Sequence, residues 1–321
     1  METMVKNTIK ASAKAEKPPR LTGKQIMKKL YYYRAYYVMF LPVFIFAILF
    51  KYLPMLGVRF AFYKFTPFKQ EFVGLANFID LFTGIKSPSF WRAFGNTLYL
   101  SVINLVIATI VSVTVALLLN DLTSRTLRSG IQTVLYLPHF MSWVVVASIF
   151  VIILSPSNGF VNNLLGIFGI NPIYFLAEDK WWTPVYLFIS RWKETGWGTI
   201  IYLAALAGVD PQLYEAASID GAGKWKQTLK ITIPSISTTI MTVFILNLGK
   251  VMNIFESVFV LGNDKVMDVA DVITTFAYRI GIQNADYGMG TAIGLFKSVV
   301  GLSLVLITDR INKKIRGSSL L

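Results

Sequence analysis

Six apolar runs, each long enough to cross a lipid bilayer, decide what this chain can fold into. They fall at about residues 36–58, 97–119, 131–154, 182–206, 236–258 and 289–309. A helix rises about 1.5 Å per residue, so about 20 apolar residues cross a hydrocarbon layer of about 30 Å. Backbone N–H and C=O groups inside lipid must pair within the segment, so the runs are expected to be helices, with no strand-like alternation competing. Composition agrees: hydrophobic residues make up 55% of the 321 and charged residues 15%, too few to cover a soluble globule of this length. The expectation is an all-α, polytopic membrane protein with six transmembrane helices. Disordered, collagen-like and disulfide-stapled scaffolds are excluded. Cysteine is absent and His139 is the single histidine, so no thiolate site, cysteine nucleophile or histidine metal cluster is expected.

The net charge of +14 does not point to nucleic acid, because Lys and Arg are spread along flanks and loops instead of forming one basic domain. The positive-inside rule accounts for it better. Residues 1–34 form a basic tail with nine Lys/Arg against Glu2 and Glu16, too long and too charged for a signal-peptide head. The first run is therefore expected to stay as an anchor, with residues 35–321 as the transmembrane domain. With the N-terminus inside, inner segments hold 18 Lys/Arg and outer segments eight, so both termini are expected to be cytosolic. Five of those eight lie before the second run, in a segment whose FVGLANFIDLF could form a short interfacial helix.

The loop at 207–235, GVDPQLYEAASIDGAGKWKQTLKITIPSI, is the most informative stretch. Asp210 suits an N-cap, Pro211 the first helical position, and Gly221 a left-handed helix end, which predicts a helix from Pro211 to Asp220. Ala216 and Ala217 would let another surface approach closely, while Leu213, Tyr214 and Ile219 offer apolar anchors for a partner's groove. Pro234 marks the start of the fifth run.

Glu215-Ala216-Ala217, three residues, Gly221, nine residues, Ile231, one residue, Ile233 and Pro234 resemble the EAA signature of membrane subunits of binding-protein-dependent ABC importers. Ile233 stands where that family usually has Leu. The resemblance extends over nearly the whole chain after residue 35, through stretches such as ILFKYLPMLGVRFAFYKF, LYLPHFMSW and AIGLFKSVVGLSLVLITDRI, and is similar to the carbohydrate subgroup that takes polysaccharide-derived oligosaccharides. It implies an ABC importer permease fold. It also implies a role for Glu215, Ala216, Ala217, Asp220, Gly221, Ile231 and Pro234 in docking to an ATPase. Implied partners are a second, related permease chain, two ATP-binding subunits, an extracytoplasmic solute-binding protein and an oligosaccharide, in a bacterial cytoplasmic membrane. No cofactor is expected in this chain, since nothing matches GxxxxGK[ST]; ATP and Mg would be held by the partner subunits.

Polar residues inside the runs invite a functional reading, because an ionisable group near the bilayer centre costs about 2.5–3.5 kcal/mol on insertion scales. The fourth run holds Arg191, Trp192, Lys193, Glu194 and Trp197; the fifth holds Asn247, Lys250, Asn253 and Glu256, spaced by threes along one slowly drifting side of a helix. Trp192, Trp197, Asn247 and Asn253 supply the aromatic faces and hydrogen-bonding groups that sugars need, and Glu194, Lys250 and Glu256 complete a candidate substrate path. The competing reading is that Trp marks the membrane interface and Asn bonds between helices. Lys51, Arg191, Lys193, Lys250 and Lys297 outnumber Glu194 and Glu256, which favours an anionic solute, unless Lys51 and Arg191 snorkel to an interface. His139 is expected to be a hydrogen-bonded packing residue. An ion-gradient-driven secondary transporter, with Glu194, Glu256 and His139 as relay groups, is the alternative; a non-transporting scaffold is a third.

Overall fold

The computed structural model describes residues 22–66 and 69–316. Most of the basic tail, residues 1–21, lies outside them. The chain divides into two units at Gly57/Val58. The first holds α1 (Gly23–Tyr32) and α2 (Arg34–Ala47), continued by a π-turn at Ile48–Tyr52. Pro42 sits inside α2, and no residue of α2 is buried within its unit.

The second unit opens with the end of a 3-10 stretch, Leu53–Phe62, and then a short antiparallel hairpin, β1 (Tyr63–Thr66) and β2 (Lys69–Phe72). The expectation of helices concerned the apolar runs, and this hairpin does not touch it. It lies outside the apolar runs, and its register sets Tyr63 against Phe72 and Lys64 against Glu71, an aromatic and an opposite-charge pair of the kind that stabilises two strands. Next comes α3 (Ala76–Thr83), the short helix expected from FVGLANFIDLF. Its Asn77 donates from Nδ2 to the carbonyls of Ala61 (2.8 Å) and Tyr63 (3.0 Å), fixing the hairpin's root.

The remaining helices are α4 (Ser87–Asp121), α5 (Arg125–Tyr136), α6 (Trp143–Ile153), α7 (Phe160–Ile167), α8 (Asp179–Ala207), α9 (Pro211–Ile219), α10 (Lys224–Gln227), α11 (Ile233–Leu248), α12 (Glu256–Leu261), α13 (Met267–Ala270), α14 (Ile273–Tyr278) and α15 (Tyr287–Arg316). Among the described residues, Arg34–Phe62, Ser87–Asp121, Lys224–Leu248 and Tyr287–Lys314 are long and apolar enough to cross a membrane. At 29 residues α8 is long enough too, with Arg191, Lys193 and Glu194 at its middle.

Two expected straight runs are broken. The third is two limbs, Arg125–Phe140 and Trp143–Ile153, bent by 102°. Pro138 lacks an N–H, and Ser142 accepts from Val145 N (3.3 Å) to cap a new helix, so the chain restarts in another direction. The fifth run ends as a helix at Leu248, passes through a 3-10 turn at Val251–Asn253 and resumes at Glu256. Asn247, Lys250, Asn253 and Glu256 therefore do not share one helical side. Gly249 and Asn253 are poor helix formers, and the carbonyls freed by the break are taken by neighbours: Ser101 donates to Val251 O (2.6 Å) and Thr274 to Ile254 O.

Three buried clusters hold this unit. Leu100, Val146, Trp182, Ile189 and Val258 join α4, α6, α8 and α12. Phe90, Ile273, Phe276, Met289 and Ile293 join α4, α14 and α15. Ala116, Leu119, Tyr202, Leu206 and Ile236 join α4, α8 and α11. α8 is central because it lacks side chains where neighbours press closest: a Cβ on Gly196 would overlap the Leu135 carbonyl of α5, and one on Gly198 would stand 2.6 Å from Ser112 Oγ of α4.

Candidate functional site

α4, α8, the end of α11 and the break after it enclose a cavity of about 640 Å³, with His139 at its wall from the bend of the third run. Of the residues singled out from sequence, Glu194, Trp197, Asn247 and Lys250 line it, and Arg191 and His139 join them. Trp192 does not; it packs edge-on against Phe150 at 5.3 Å between ring centres. Asn253 lines a separate cavity of about 270 Å³ on the other side of the break, together with Lys297. Glu256 begins α12 and lines neither.

One wall of the large cavity is a polar latch. Glu194 holds His139 Nδ1 at 2.8 Å through one carboxylate oxygen and Lys193 Nζ at 3.2 Å through the other. Lys193 also donates to the His139 carbonyl (2.9 Å) and is 5% exposed. The His139 ring stacks on Trp197 at 4.5 Å with planes 3° apart, so the indole is held in place while 49% of that residue stays exposed at the cavity. His139 is thus a hydrogen-bonded packing residue, as expected from sequence. Because Lys193 and Glu194 neutralise each other, the cationic excess facing the cavity rests on Arg191 and Lys250.

Sequence reasoning missed the contribution of α4. Ser101, Asn104, Thr109 and Ser112 put hydroxyls and an amide along the cavity. Asn104 Oδ1 and Arg191 Nε are buried without a hydrogen-bond partner. Unsatisfied buried polar atoms are costly, and both residues belong to the cavity lining, Asn104 from α4 and Arg191 from α8. The signal was present: Asn104 interrupts an otherwise apolar stretch, yet carries no charge to draw attention.

Away from the cavity, the loop helix α9 forms as the sequence predicts. Asp210 accepts from Gln212 N (2.9 Å), and the far end closes with Ala222 N bonding Ala217 O (2.9 Å), Gly221 N bonding Ser218 O (3.1 Å) and Gly221 at φ +73°. This is a Schellman end, in which glycine removes the strain of the left-handed residue. Gln227 bonds back to Ser218 and Ala222, and Tyr214 meets Thr232 at 3.0 Å, tying α9 to the start of the long run into α11. Glu215, Ala216, Asp220, Gly221 and Pro234 are exposed, while Ala217 and Ile231 are half-buried.

Long apolar helices around a largely apolar cavity that carries a few charged and amide groups, with a capped helix presented on a connecting loop, define a membrane transport subunit. The chain belongs to the inner-membrane components of binding-protein-dependent transport systems, whose family model matches residues 108–317. It is 42% identical over 306 residues to the polygalacturonan/rhamnogalacturonan transport system permease protein YteP of Bacillus subtilis (strain 168), covering 94% of this chain and 93% of that protein. It is also similar to the crystal structure of a bacterial ABC transporter involved in the import of the acidic polysaccharide alginate, with TM-score 0.83, 38% identity, and coverage of 91% of this chain and 99% of the other. A second structure, of a bacterial alginate ABC transporter in complex with an alginate pentasaccharide-bound periplasmic protein, matches with TM-score 0.83 and 37% identity over the same shares.

Proposed function

We propose that this chain is the permease subunit of an ATP-driven, binding-protein-dependent importer of oligosaccharides, acidic ones derived from polysaccharides in particular. The observation that carries the reading is the 640 Å³ cavity, where Trp197 offers a ring face, Asn104 and Asn247 offer amides, and Arg191 and Lys250 supply positive charge. Sugar rings have apolar faces that stack on aromatic residues and hydroxyls that need hydrogen-bond partners, and a uronate adds a carboxylate that an Arg or Lys binds through charge-assisted hydrogen bonds. Similarity to an alginate importer and to a permease named for polygalacturonan and rhamnogalacturonan supports this substrate class.

In this reading α9, with Glu215, Ala216, Ala217, Asp220 and Gly221, seats in a cleft of a cytosolic ATPase subunit, and Ile231 and Pro234 join it to α11. A second, related permease chain, two ATP-binding subunits that hold ATP and Mg, and an external solute-binding protein complete the assembly. ATP binding draws the two loop helices together and opens the cavity outward; hydrolysis resets it. Both termini are cytosolic. An ion-driven relay finds less support, because Glu194 and His139 meet while Glu256 stands apart from the cavity.

The test is ATPase stimulation and uptake by the reconstituted complex with its binding protein, using matched neutral and uronate oligosaccharides and a no-sugar control. Stimulation by the uronate set supports the acidic reading. Stimulation by the neutral set alone removes the role given to Arg191 and Lys250 and leaves stacking and amide bonding as the basis of selectivity. No response to either set sinks the oligosaccharide reading.

A further inference from the structure

The break after α11 has two sides, and the second is also cationic. Residues 250–255 are divided between the cavities: Lys250, Val251 and Ile254 line the larger, while Asn253 and Phe255 line the smaller of about 270 Å³. Lys297 completes the smaller one from α15, with Thr274 and Gly294. It is the eleventh residue of the 30 in Tyr287–Arg316, so it stands about 15 Å along the helix from its start and farther from its end. A cation at such depth is costly unless something compensates it. No carboxylate among the described residues lies within ion-pair distance of Lys297. A Cβ built on Gly294, one turn before it, would meet nothing within 4 Å, so the space beside the lysine is open.

We propose that Lys297 binds a carboxylate of the transported sugar, so that the path grips an acidic chain on both sides of the broken segment, at Lys250 and at Lys297. The inference rests on the oligosaccharide-importer reading above and extends it to a residue outside the main cavity. Beside the lysine, Asn253 brings an amide and Phe255 a ring face, the two kinds of group a sugar uses, while the Thr274 hydroxyl is already committed to the Ile254 carbonyl. The peptide segment between the two cavities is held by Ser101 from one side and Thr274 from the other, so both cavities share one fixed partition.

The experiment uses the complete complex with its ATPase subunits and saturating, loaded binding protein, and compares uptake of a short oligouronate with uptake of its methyl ester, which has the same length and no charge. Lys297→Met is expected to slow uptake of the acid about tenfold or more, the loss that removing one charge-assisted hydrogen bond brings. Uptake of the ester should be unchanged, and Lys297→Arg should stay near the original rate with both sugars. Equal slowing of both sugars, or unchanged rates for both, would overturn the proposal. So would failure of Lys297→Met to copurify with the second permease chain, since that assigns the lysine to a contact between subunits. If the unsubstituted complex takes up neither sugar, the importer reading fails first, and that is seen before any variant is compared.

Discussion

At Lys193 a single ammonium group bonds the carbonyl of His139 in a neighbouring segment, pairs with Glu194 beside it, and stays almost wholly shielded from solvent. Lys193→Met is expected to cost about 1–3 kcal/mol, because it leaves the His139 carbonyl without its donor and Glu194 with His139 alone; a lowered unfolding midpoint of the purified complex checks this. The same change should loosen Trp197, read as a shift in its fluorescence. Gly196→Val is expected to be worse tolerated than Gly198→Ala, since the Gly196 site abuts backbone, which cannot move aside, while the Gly198 site abuts the Ser112 hydroxyl. Yield of folded protein separates them. The charged cluster in α8 was legible from sequence because charges stand out in an apolar run. Its pairing was not, since nothing local says that His139, 55 residues away, reaches Glu194. Asn104 and Ser101 were overlooked because a single uncharged polar residue in a span reads equally well as a bond between helices.

Helix α9 was legible from both ends, because caps are local: Asp210, Pro211 and Gly221 each act within a turn of where they stand. Replacing Asp210 by Ala is expected to weaken the helix by about 1 kcal/mol, and Gly221→Val by about 1–2 kcal/mol through the left-handed backbone. In the reconstituted complex both variants should hydrolyse ATP with reduced sugar uptake; full coupling in both would count against the docking role given to α9. The breaks in the third and fifth runs were only half legible. Pro138 and Gly249 are visible markers, but a proline or glycine in a span can equally kink a continuous helix. What makes Gly249 a true end is that Ser101 and Thr274, remote in sequence, accept the duty of bonding the freed carbonyls. Ser101→Ala should therefore cost about 1–3 kcal/mol by leaving the Val251 carbonyl unsatisfied, seen as reduced thermal stability with α9 unaffected. The hairpin at Tyr63–Phe72 escaped notice because it is too short for alternation to separate it from a loop.

Across the whole molecule, hydropathy alone carried the all-α class, since lipid leaves few ways to satisfy a backbone. The count of Lys and Arg on each side carried the orientation now proposed. The absence of cysteine makes that orientation directly testable. Ile219, 87% exposed at the end of α9, and Ile167, 77% exposed at the end of α7, fall on opposite sides of the membrane in the proposed arrangement. In oriented vesicles, Ile219→Cys should react with an impermeant maleimide only from the cytosolic side, and Ile167→Cys only from the other. Labelling of both from one side would overturn the arrangement. The helical run from Lys224 to Leu248, which begins where Gln227 grips α9 and stops at Gly249, has a mechanical consequence. It is one rod about 37 Å long, with its near end clamped to a surface knob and its far end resting against the wall that divides the two chambers. In the proposed mechanism a push on the knob travels along this rod, past the π-turn at Thr228–Thr232, to Gly249, beside which Lys250 faces the larger chamber.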